Sequence, residues 1–434
     1  MFRPVLNILW QSNSWASTVA CRGWAGGSLL TDSELVDQYD LLIVGGGMVG
    51  GALGCAVAEA GFEVCLLEAR EPQRSWPPDE VDLRVSALTR ASQHILENLQ
   101  VWPGMAKRRV SPYTDMRVWD AGGSGRIHFS AAEIGEPDLG HIVENRVIQL
   151  ALWERLESLP NVTLRYPARV SELQPGDEPA VVLQDGDRLT AKLVVAADGR
   201  DSRMRGMANI GTWGWDYDQH AIVATVRPAL SHRHTAWQRF MKTGPLALLP
   251  IDDGRCSIVW STSPLQAEAL MSLDDAAFCR ALTQASEAVL GAIRETGPRG
   301  VFPLRLGHAE TYICSGLALV GDAAHAIHPL AGQGVNLGFL DAVTLAETVI
   351  AAHEAGRRIG SIATLRRYER TRKGPNMAML GAMDAFKRVF SNEVLPLKLV
   401  RNLGLNLADR SGFFKQHLVR RAMGLGGDLP RLAK

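Results

Sequence analysis

Apolar and polar positions follow three rhythms along this chain. The first is the unbroken apolar run. In "YDLLIVGGGMVGGALGCAVAEAGFEVCLLEA" (39–69), Leu41–Val44 and Val64–Leu67 carry no polar position. "AKLVVAADG" (191–199) and "GLALVGDAA" (316–324) contain similar runs, each ending in a Gly–Asp or Asp–Gly turn. Runs of this kind predict strands buried on both faces, as in a parallel sheet covered by helices. The second rhythm is helical. The segment from about Met48 to Gly61 is built of Ala, Val, Leu and Gly and predicts a helix lying close on the sheet, so 39–69 is one βαβ unit. "ENRVIQLALWERLESL" (144–159) has helical spacing at Val147, Leu150, Trp153 and Leu156. A long helix is expected from about Gln333 to His353. Beyond it the chain to 423 reads as helical, with breaks at 374–375 and Pro396. "RVSALTRASQHILENL" (84–99) reads as a turn into a helix.

The third rhythm is alternation. Residues 116–130 alternate as a hairpin with "AGGSG" as its turn, and 220–262 contains alternating stretches such as "CSIVWS". These predict an antiparallel sheet inserted between segments of the parallel one. No repeat or low-complexity tract interrupts the pattern.

Composition narrows this picture only a little. With 434 residues, 46% hydrophobic and 21% charged, the chain can bury a sizeable core and is not wholly disordered. Net charge is zero but uneven: from Gly356 onward there are 17 Lys and Arg against 5 Asp and Glu, a local +12, which leaves −12 on residues 1–355. A uniformly basic nucleic-acid binder is excluded, whereas the C-terminal region suits an anionic surface. The stretch "KLVRNLGLNLADRSGFFKQHLVRRAM" mixes Leu, Val and Phe with cations, as membrane-surface helices do; packing of these apolar residues on the fold, with solvated Arg, is the alternative. The six cysteines (21, 55, 65, 256, 279, 314) form no C-x-x-C, and Cys55 and Cys65 read as small buried hydrophobes in a reducing compartment. No apolar run reaches the ~18 residues of a membrane span. Residues 1–31 hold no acid, two Arg (Arg3, Arg22) and three Trp. A transit peptide, a disordered extension and an upstream start all fit this composition.

The candidate chemistry lies in the turns. Gly45-x-Gly47-x-x-Gly50 ends a strand and opens a helix, around Met48 and Val49. Its glycines permit a tight turn, close approach of a pyrophosphate to backbone, and close helix–strand packing. Glu68, 18 residues after Gly50, ends the second strand and can accept from a ribose hydroxyl. Asp322, at the end of a later strand, supplies a second site, which a nicotinamide dinucleotide would not need and FAD would, through its ribityl chain. Between them stands Asp198-Gly199, followed by Ser202 and Arg205; alone it could be a solvated turn with Ser202 as N-cap.

"GDAAHAIHPLAGQGVNLGFLDA" (321–342) also raises a metal site, with His325, His328, Asp322 and Asp341. Ligands at i, i+3 need a helix, whereas Pro329 and Gly332 argue for a loop, so no metal is expected. His325 either lies near a substrate or packs. "SHRHTAW", with His232 and His234, reads as a solvated loop, and "WGWDYDQH" (213–220) as an aromatic pocket or ordinary core and turn.

With these motifs in order, the chain resembles the class A flavoprotein aromatic hydroxylases, and within them the ubiquinone-biosynthesis hydroxylases of the UbiH/UbiI/UbiF type. The pattern H-P-x-A-G-Q-G-x-N-x-G-x-x-D is matched by His328, Pro329, Ala331, Gly332, Gln333, Gly334, Asn336, Gly338 and Asp341. "LRVSAL" (83–88), "LGHIVENRVIQLALW" (139–153) and "FSNEVLPLKLVRNLGL" (390–405) extend the likeness over about 39–432.

The resemblance implies an α/β fold of the α+β two-domain kind. A Rossmann-like FAD-binding domain takes 39–110, 136–205 and 300–355. An inserted antiparallel substrate sheet takes 111–135 and 206–299. A basic helical region takes 356–434, and 1–38 is an extension. It further implies that Arg84 sits near the FAD phosphates, Asn145 contacts the flavin, Val170 meets the adenine through its backbone, and Asp198 and Gly199 serve FAD and NAD(P)H. Asp322 would bind the ribityl chain and Pro329 the ring. Gly332, Gln333, Gly334, Val335 and Asn336 would offer N–H groups to the flavin N1/O2 edge, where a helix start favours the negative charge of the reduced ring.

The implied reaction is hydroxylation, at C5 or C6, of a polyprenyl phenol or quinol through a C4a-hydroperoxyflavin, with O2 and NAD(P)H. The flavin carries the chemistry, leaving His325 and Pro329 as candidates beside it. The enzyme would be cytoplasmic or peripheral on the inner membrane, on the matrix side if 1–38 is a transit peptide, and near other ubiquinone-biosynthesis proteins. A non-oxygenating flavin oxidoreductase and an FAD-bearing assembly subunit are the competing readings. Oligomeric state is left open.

Overall fold

The computed structural model describes residues 38–326 and 334–391, and beyond them 412, 415, 416, 419, 420 and 423–434. The extension up to 37, His328, Pro329, Gly332, Gln333, Pro396, Arg421 and most of the tail stretch 390–405 lie outside the described residues. Gln38, assigned to the extension, already belongs to the first strand.

Five strands run parallel in the order Leu317–Leu319, Arg188–Ala196, Gln38–Val44, Val64–Leu67 and Val162–Arg165. The unbroken apolar runs form its centre: Leu41, Ile43, Val64, Leu66, Val194 and Leu317 have no exposed surface. Helix Met48–Glu59 lies between helices Asn145–Glu157 and Gly334–Glu354. Its small residues permit the approach, since a Cβ on Gly51 would stand 3.2 Å from Leu152 and one on Gly54 3.0 Å from Leu156. Helix Gly334–Glu354 is long and apolar enough to cross a membrane, but 67% of its most apolar window is buried inside the fold. Cys55 and Cys65 are buried.

The second sheet has eight strands, in the order His325–Ala326, Ile293–Ala309, Thr212–Pro228, Cys256–Thr262, Gly244–Pro250, Thr235–Met241, Asp115–Asp120 and Arg126–Ser130. All neighbours are antiparallel except Thr235–Met241 beside Asp115–Asp120. Two 17-residue strands pair along its middle. This sheet therefore extends to Ala309, past the boundary drawn at 299. The reason lies in the pattern of 303–309, where Leu304, Leu306 and His308 are buried between Arg305 and Gly307: this is alternation, not an unbroken run. Helices Pro264–Met271 and Asp275–Ala285, which alternation could not reveal, cover one face through Ala267, Phe278 and Leu282.

Three further readings are corrected. Residues 85–88 form a strand, paired with Gly140–Glu144, before Thr89 caps helix Arg90–Asn98. The break expected at Gly374–Pro375 does not occur, and one helix runs Ile362–Ser391. Arg372 and Asn376 flank the proline and both donate to the buried Asp341, which holds the helix through a position lacking an N–H donor. His232 is buried and bonded to the Ile251 carbonyl at 2.9 Å, while His234 is exposed. In "WGWDYDQH", Tyr217 joins the core whereas Trp213 and Trp215 are about two-fifths exposed, at 38% and 41%.

Candidate active site

The register of the parallel sheet brings the motifs together. Leu67 pairs with Val44, Val44 with Ala196, and Ala196 with Leu319, so four strands end at one level. Immediately past that level come Glu68, Gly45, Asp198-Gly199 and Gly321-Asp322. Residues up to 277 positions apart thus share the carboxyl edge of a sheet, the place where open α/β folds bind ligands.

Packing fixes the fingerprint turn. Gly45 has φ +112°, and a Cβ there would lie 2.3 Å from the Ala197 carbonyl oxygen; one on Gly50 would lie 2.0 Å from the Gly45 oxygen. Gly47 differs: a Cβ on it would meet nothing within 4 Å, so its face is open. The helix starting at Met48 has no side-chain cap. Val49 packs against the second motif and the last one together, because a Cβ on Gly321 would lie 3.1 Å from it and one on Gly338 2.5 Å. The Glu68 carboxylate accepts from Gly46 N at 2.8 Å and Arg70 N at 3.1 Å, which directs it across the glycine turn. The Gly46 carbonyl in turn accepts from the buried Trp153 indole at 2.8 Å. Trp153 was read only as a helix face, since an indole N–H has no sequence signature.

The Asp198-Gly199 turn is tied inward. Asp198 accepts from Ser202 Oγ and Met204 N, and Ser202 caps helix Arg203–Met207. Gly199 has φ +82° and an open face. Arg205 bridges the motifs: its guanidinium donates to the Ala323 carbonyl at 2.8 Å and the Arg200 carbonyl at 3.1 Å. Asp322 is exposed and makes no hydrogen bond with the described residues.

The remaining expected contacts divide. Arg84 is exposed and stacks on Phe302 at 5.3 Å, with no acid beside it among the described residues. Asn145 accepts from Ser86 Oγ at 2.7 Å and is half-buried. Val170 is a buried strand residue paired with Leu183. Gly334 and Val335 are half-buried at the opening of their helix. The Asn336 side chain faces the interior instead, accepting from Ser92 Oγ and Thr89 N and donating to the Ala87 carbonyl.

His325, a candidate for chemistry at the ring, is 1% exposed and belongs to the core. Its Nε2 donates to Asp341 Oδ2 at 2.5 Å, the tautomer a carboxylate requires. Asp341 has no exposed surface and also accepts from Gly321 N at 3.2 Å, Arg372 Nε at 2.7 Å and Asn376 Nδ2 at 3.1 Å. Burial alone would raise this carboxyl, but the charges of His325 and Arg372 and the bonds they donate outweigh it and hold it well below the usual carboxylate range. Arg372 occupies the place a cation would take. Around this knot, Tyr312 lies between Asn376 and His308. Burial pushes the Tyr312 phenol up and lowers His308 to about 4. Tyr312, Arg372, Asn376 and His308 had no local motif to mark them.

A glycine fingerprint with its acid, two further turns at the same sheet edge and a large antiparallel partner sheet define a dinucleotide-binding flavoprotein. The family model described as "FAD binding domain" matches residues 38–381, and the chain belongs to that family as an FAD-dependent monooxygenase of the UbiH/UbiI/UbiF type. The chain is 40% identical over 387 residues to the 3-demethoxyubiquinol 3-hydroxylase of Escherichia coli K12, covering 89% of this chain and 98% of that one. It is 40% identical over 399 residues to ubiquinone hydroxylase UbiL of Rhodospirillum rubrum, covering 91% and 92%. It is 35% identical over 452 residues to the mitochondrial ubiquinone biosynthesis monooxygenase COQ6 of Homo sapiens, covering 92% and 94%. Among solved structures, p-nitrophenol 4-monooxygenase PnpA of Pseudomonas putida superposes with TM-score 0.74 at 19% identity, over 90% of this chain and 99% of that one. PqsL of Pseudomonas aeruginosa with 2-aminobenzoylacetate gives TM-score 0.73 at 21%, over 85% and 99%. These two share the fold.

The residues present fit FAD. The open faces of Gly47 and Gly199, the helix start without a side-chain cap, and an Arg84 and Asp322 that have no ionic or hydrogen-bond partner among the described residues leave donors, a cation and an acceptor for a dinucleotide.

Proposed function

We propose that this enzyme hydroxylates the aromatic ring of a polyprenyl phenol or quinol in ubiquinone biosynthesis, at C5 or C6, with O2 as oxygen source and NAD(P)H as reductant. The observation that carries this reading is the convergence of the Gly45, Asp198 and Asp322 turns on one sheet edge, in a chain whose curated relatives are named as ubiquinone hydroxylases.

FAD, when bound, supplies the redox chemistry and the activation of oxygen. This chain's residues have other tasks. The backbone at Gly45, Gly47, Met48, Val49 and Gly50 would hold the pyrophosphate, with Arg84 offsetting its charge. Glu68 would accept from the adenosine ribose, and Asp322 from ribityl hydroxyls. Asn145 and the backbone of Val170, Asp198 and Gly199 would make the contacts between. The N–H groups at the opening of helix Gly334–Glu354 would favour negative charge on the reduced ring. Tyr217, Ala221, Leu304 and Leu306 of the antiparallel sheet pack with Leu337 of that same helix, an apolar cluster that would help exclude water beside the helix opening.

A greasy substrate also calls for a membrane surface, and the enzyme would work at the inner membrane beside other ubiquinone-biosynthesis proteins. In the described part of the tail, several residues also contact the protein itself. Lys415 is paired with Glu133 at 2.9 Å, Arg420 donates to the Ile134 carbonyl, and Val419 and Met423 pack on Ile134 and Leu139.

The test is deletion of the gene in a ubiquinone-making cell, with mass spectrometry of the accumulating intermediate. An intermediate lacking one ring hydroxyl, restored by the intact gene, is expected. Normal ubiquinone with no compensating hydroxylase would refute the reading.

A further inference from the structure

Asp341 ends the longest motif in the chain, yet it cannot touch a flavin, because it has no exposed surface. Its Oδ2 accepts from Gly321 N and from His325 Nε2, the two ends of the five-residue segment 321–325. One carboxylate oxygen thus staples that segment at both ends. Arg205 holds its middle through the Ala323 carbonyl. Gly321 sits at φ +58°, a left-handed conformation that the staple maintains. The residue carried between the staples is Asp322, exposed and unpartnered among the described residues. Oδ1 is anchored separately, by Arg372 Nε and Asn376 Nδ2 on helix Ile362–Ser391. All the acceptor positions of Asp341 are therefore filled, and each donor comes from backbone or a side chain held in the core.

We propose that Asp341 is a positioning residue: from inside the core it fixes the 321–325 turn against helix Ile362–Ser391 and so aims the Asp322 carboxylate at the flavin. The inference rests on the reading of Asp322 as a flavin contact. His325 acts in the same device, as the donor that closes the far end of the staple. This accounts for a histidine that is buried in the core and bonded to a carboxylate. It also gives Pro375 a place, since the helix must deliver Arg372 and Asn376 on both sides of it.

The test is a double-mutant cycle read by the FAD dissociation constant, with the apo-protein melting temperature as control. Asp341→Asn is made together with Arg372→Gln, so that the guanidinium is not left buried without its counter-charge. This neutral pair is expected to melt close to the native apo-protein and to raise the FAD Kd about tenfold, the scale of one lost charged hydrogen bond. Asp322→Asn is expected to raise Kd about tenfold in the native background and less than about twofold in the neutral-pair background. An unchanged Kd for the neutral pair, or the same factor for Asp322→Asn in both backgrounds, overturns the proposal. If Asp322→Asn leaves the native Kd unchanged, the flavin-contact reading itself fails, and the inference with it. A second arm leaves Asp341 and Arg372 intact. His325→Gln keeps an N–H donor and should retain near-native Kd, whereas His325→Leu removes it and should raise Kd. Equal Kd for these two variants also overturns the proposal.

Discussion

Two regions of the flavin half stand a few residues apart and obey opposite rules. At the rim, past the strand ends, Gly47 and Gly199 have open faces, while Asp322 has no partner among the described residues. In the knot beneath, Asp341, His325, Arg372 and Asn376 are each at most 8% exposed, and four donors converge on one carboxylate. The motif stretch 321–342 contributes to both, Asp322 to the rim and His325 and Asp341 to the knot. On the proposed reading, the difference separates groups that meet a ligand from groups that hold those groups still. Unsatisfied polar atoms are cheap at a surface and costly inside, so the rim can wait for a ligand while the buried carboxylate has its four donors in place without one; the Nδ1 atoms of His325 and His308 keep no partner among the described residues.

The largest effect expected from breaking this contrast is on the knot. Asp341→Asn alone leaves Arg372 buried without its counter-charge and should destabilise the apo-protein by about 3 to 5 kcal/mol in chemical denaturation. Asp322→Asn in the same assay should leave stability unchanged. Equal losses would erase the distinction. Next comes Gly50→Ala, whose Cβ would lie 2.0 Å from a backbone oxygen, with an expected loss of about 3 kcal/mol.

Acid titration sharpens the contrast further. Burial lowers His308 to about 4, and His141 and His232 are lowered by the same cause. Between that value and the ordinary value of about 6.5 the unfolded chain binds more protons than the folded one, so stability rises with pH across this window. The melting temperature should therefore fall as pH drops from about 6.5 to about 4, and His308→Gln should reduce the slope. Asp341 acts in the other range. Its carboxyl is held low, so its contribution is present above about pH 4 and is lost only as pH falls further toward its folded value.

At the rim, Gly47→Ala places a methyl group in open space. It should leave the apo-protein's melting intact and raise the FAD Kd about tenfold, or ~1.4 kcal/mol. A normal Kd would move the pyrophosphate elsewhere. The smallest effect is expected from Lys415→Ala, which removes an ion pair with the partly exposed Glu133 and should cost about 1 kcal/mol or less.

The rim was legible because each of its pieces is local. A turn that needs Gly45 and an acid that ends a strand are written within 24 residues, and unbroken apolar runs place three such turns at strand ends. The knot was not legible, since Arg372 and Asn376 meet Asp341, and Tyr312 meets Asn376, through tertiary packing that leaves no spacing to read. Pro375 even pointed the wrong way, because a proline signals a break unless buried partners on both sides hold the helix. The long strand Ile293–Ala309 was cut at 299 for a related reason: burial in its first half is irregular, and only its last seven residues alternate clearly. The charge of the tail showed how many cations it has but not which face they occupy: Lys415 is buried against Glu133, whereas Arg420 is exposed and donates to the Ile134 carbonyl.

The central claim is that FAD held at this rim delivers oxygen to a phenolic or quinol ring. The most direct measurement is incubation of the purified holoenzyme with NAD(P)H, a prenylated phenol or quinol and 18O2, followed by mass spectrometry of the product. The account predicts one labelled oxygen atom in each hydroxylated ring. Substrate turnover with no label in the product, or with label only in peroxide and water, would contradict it.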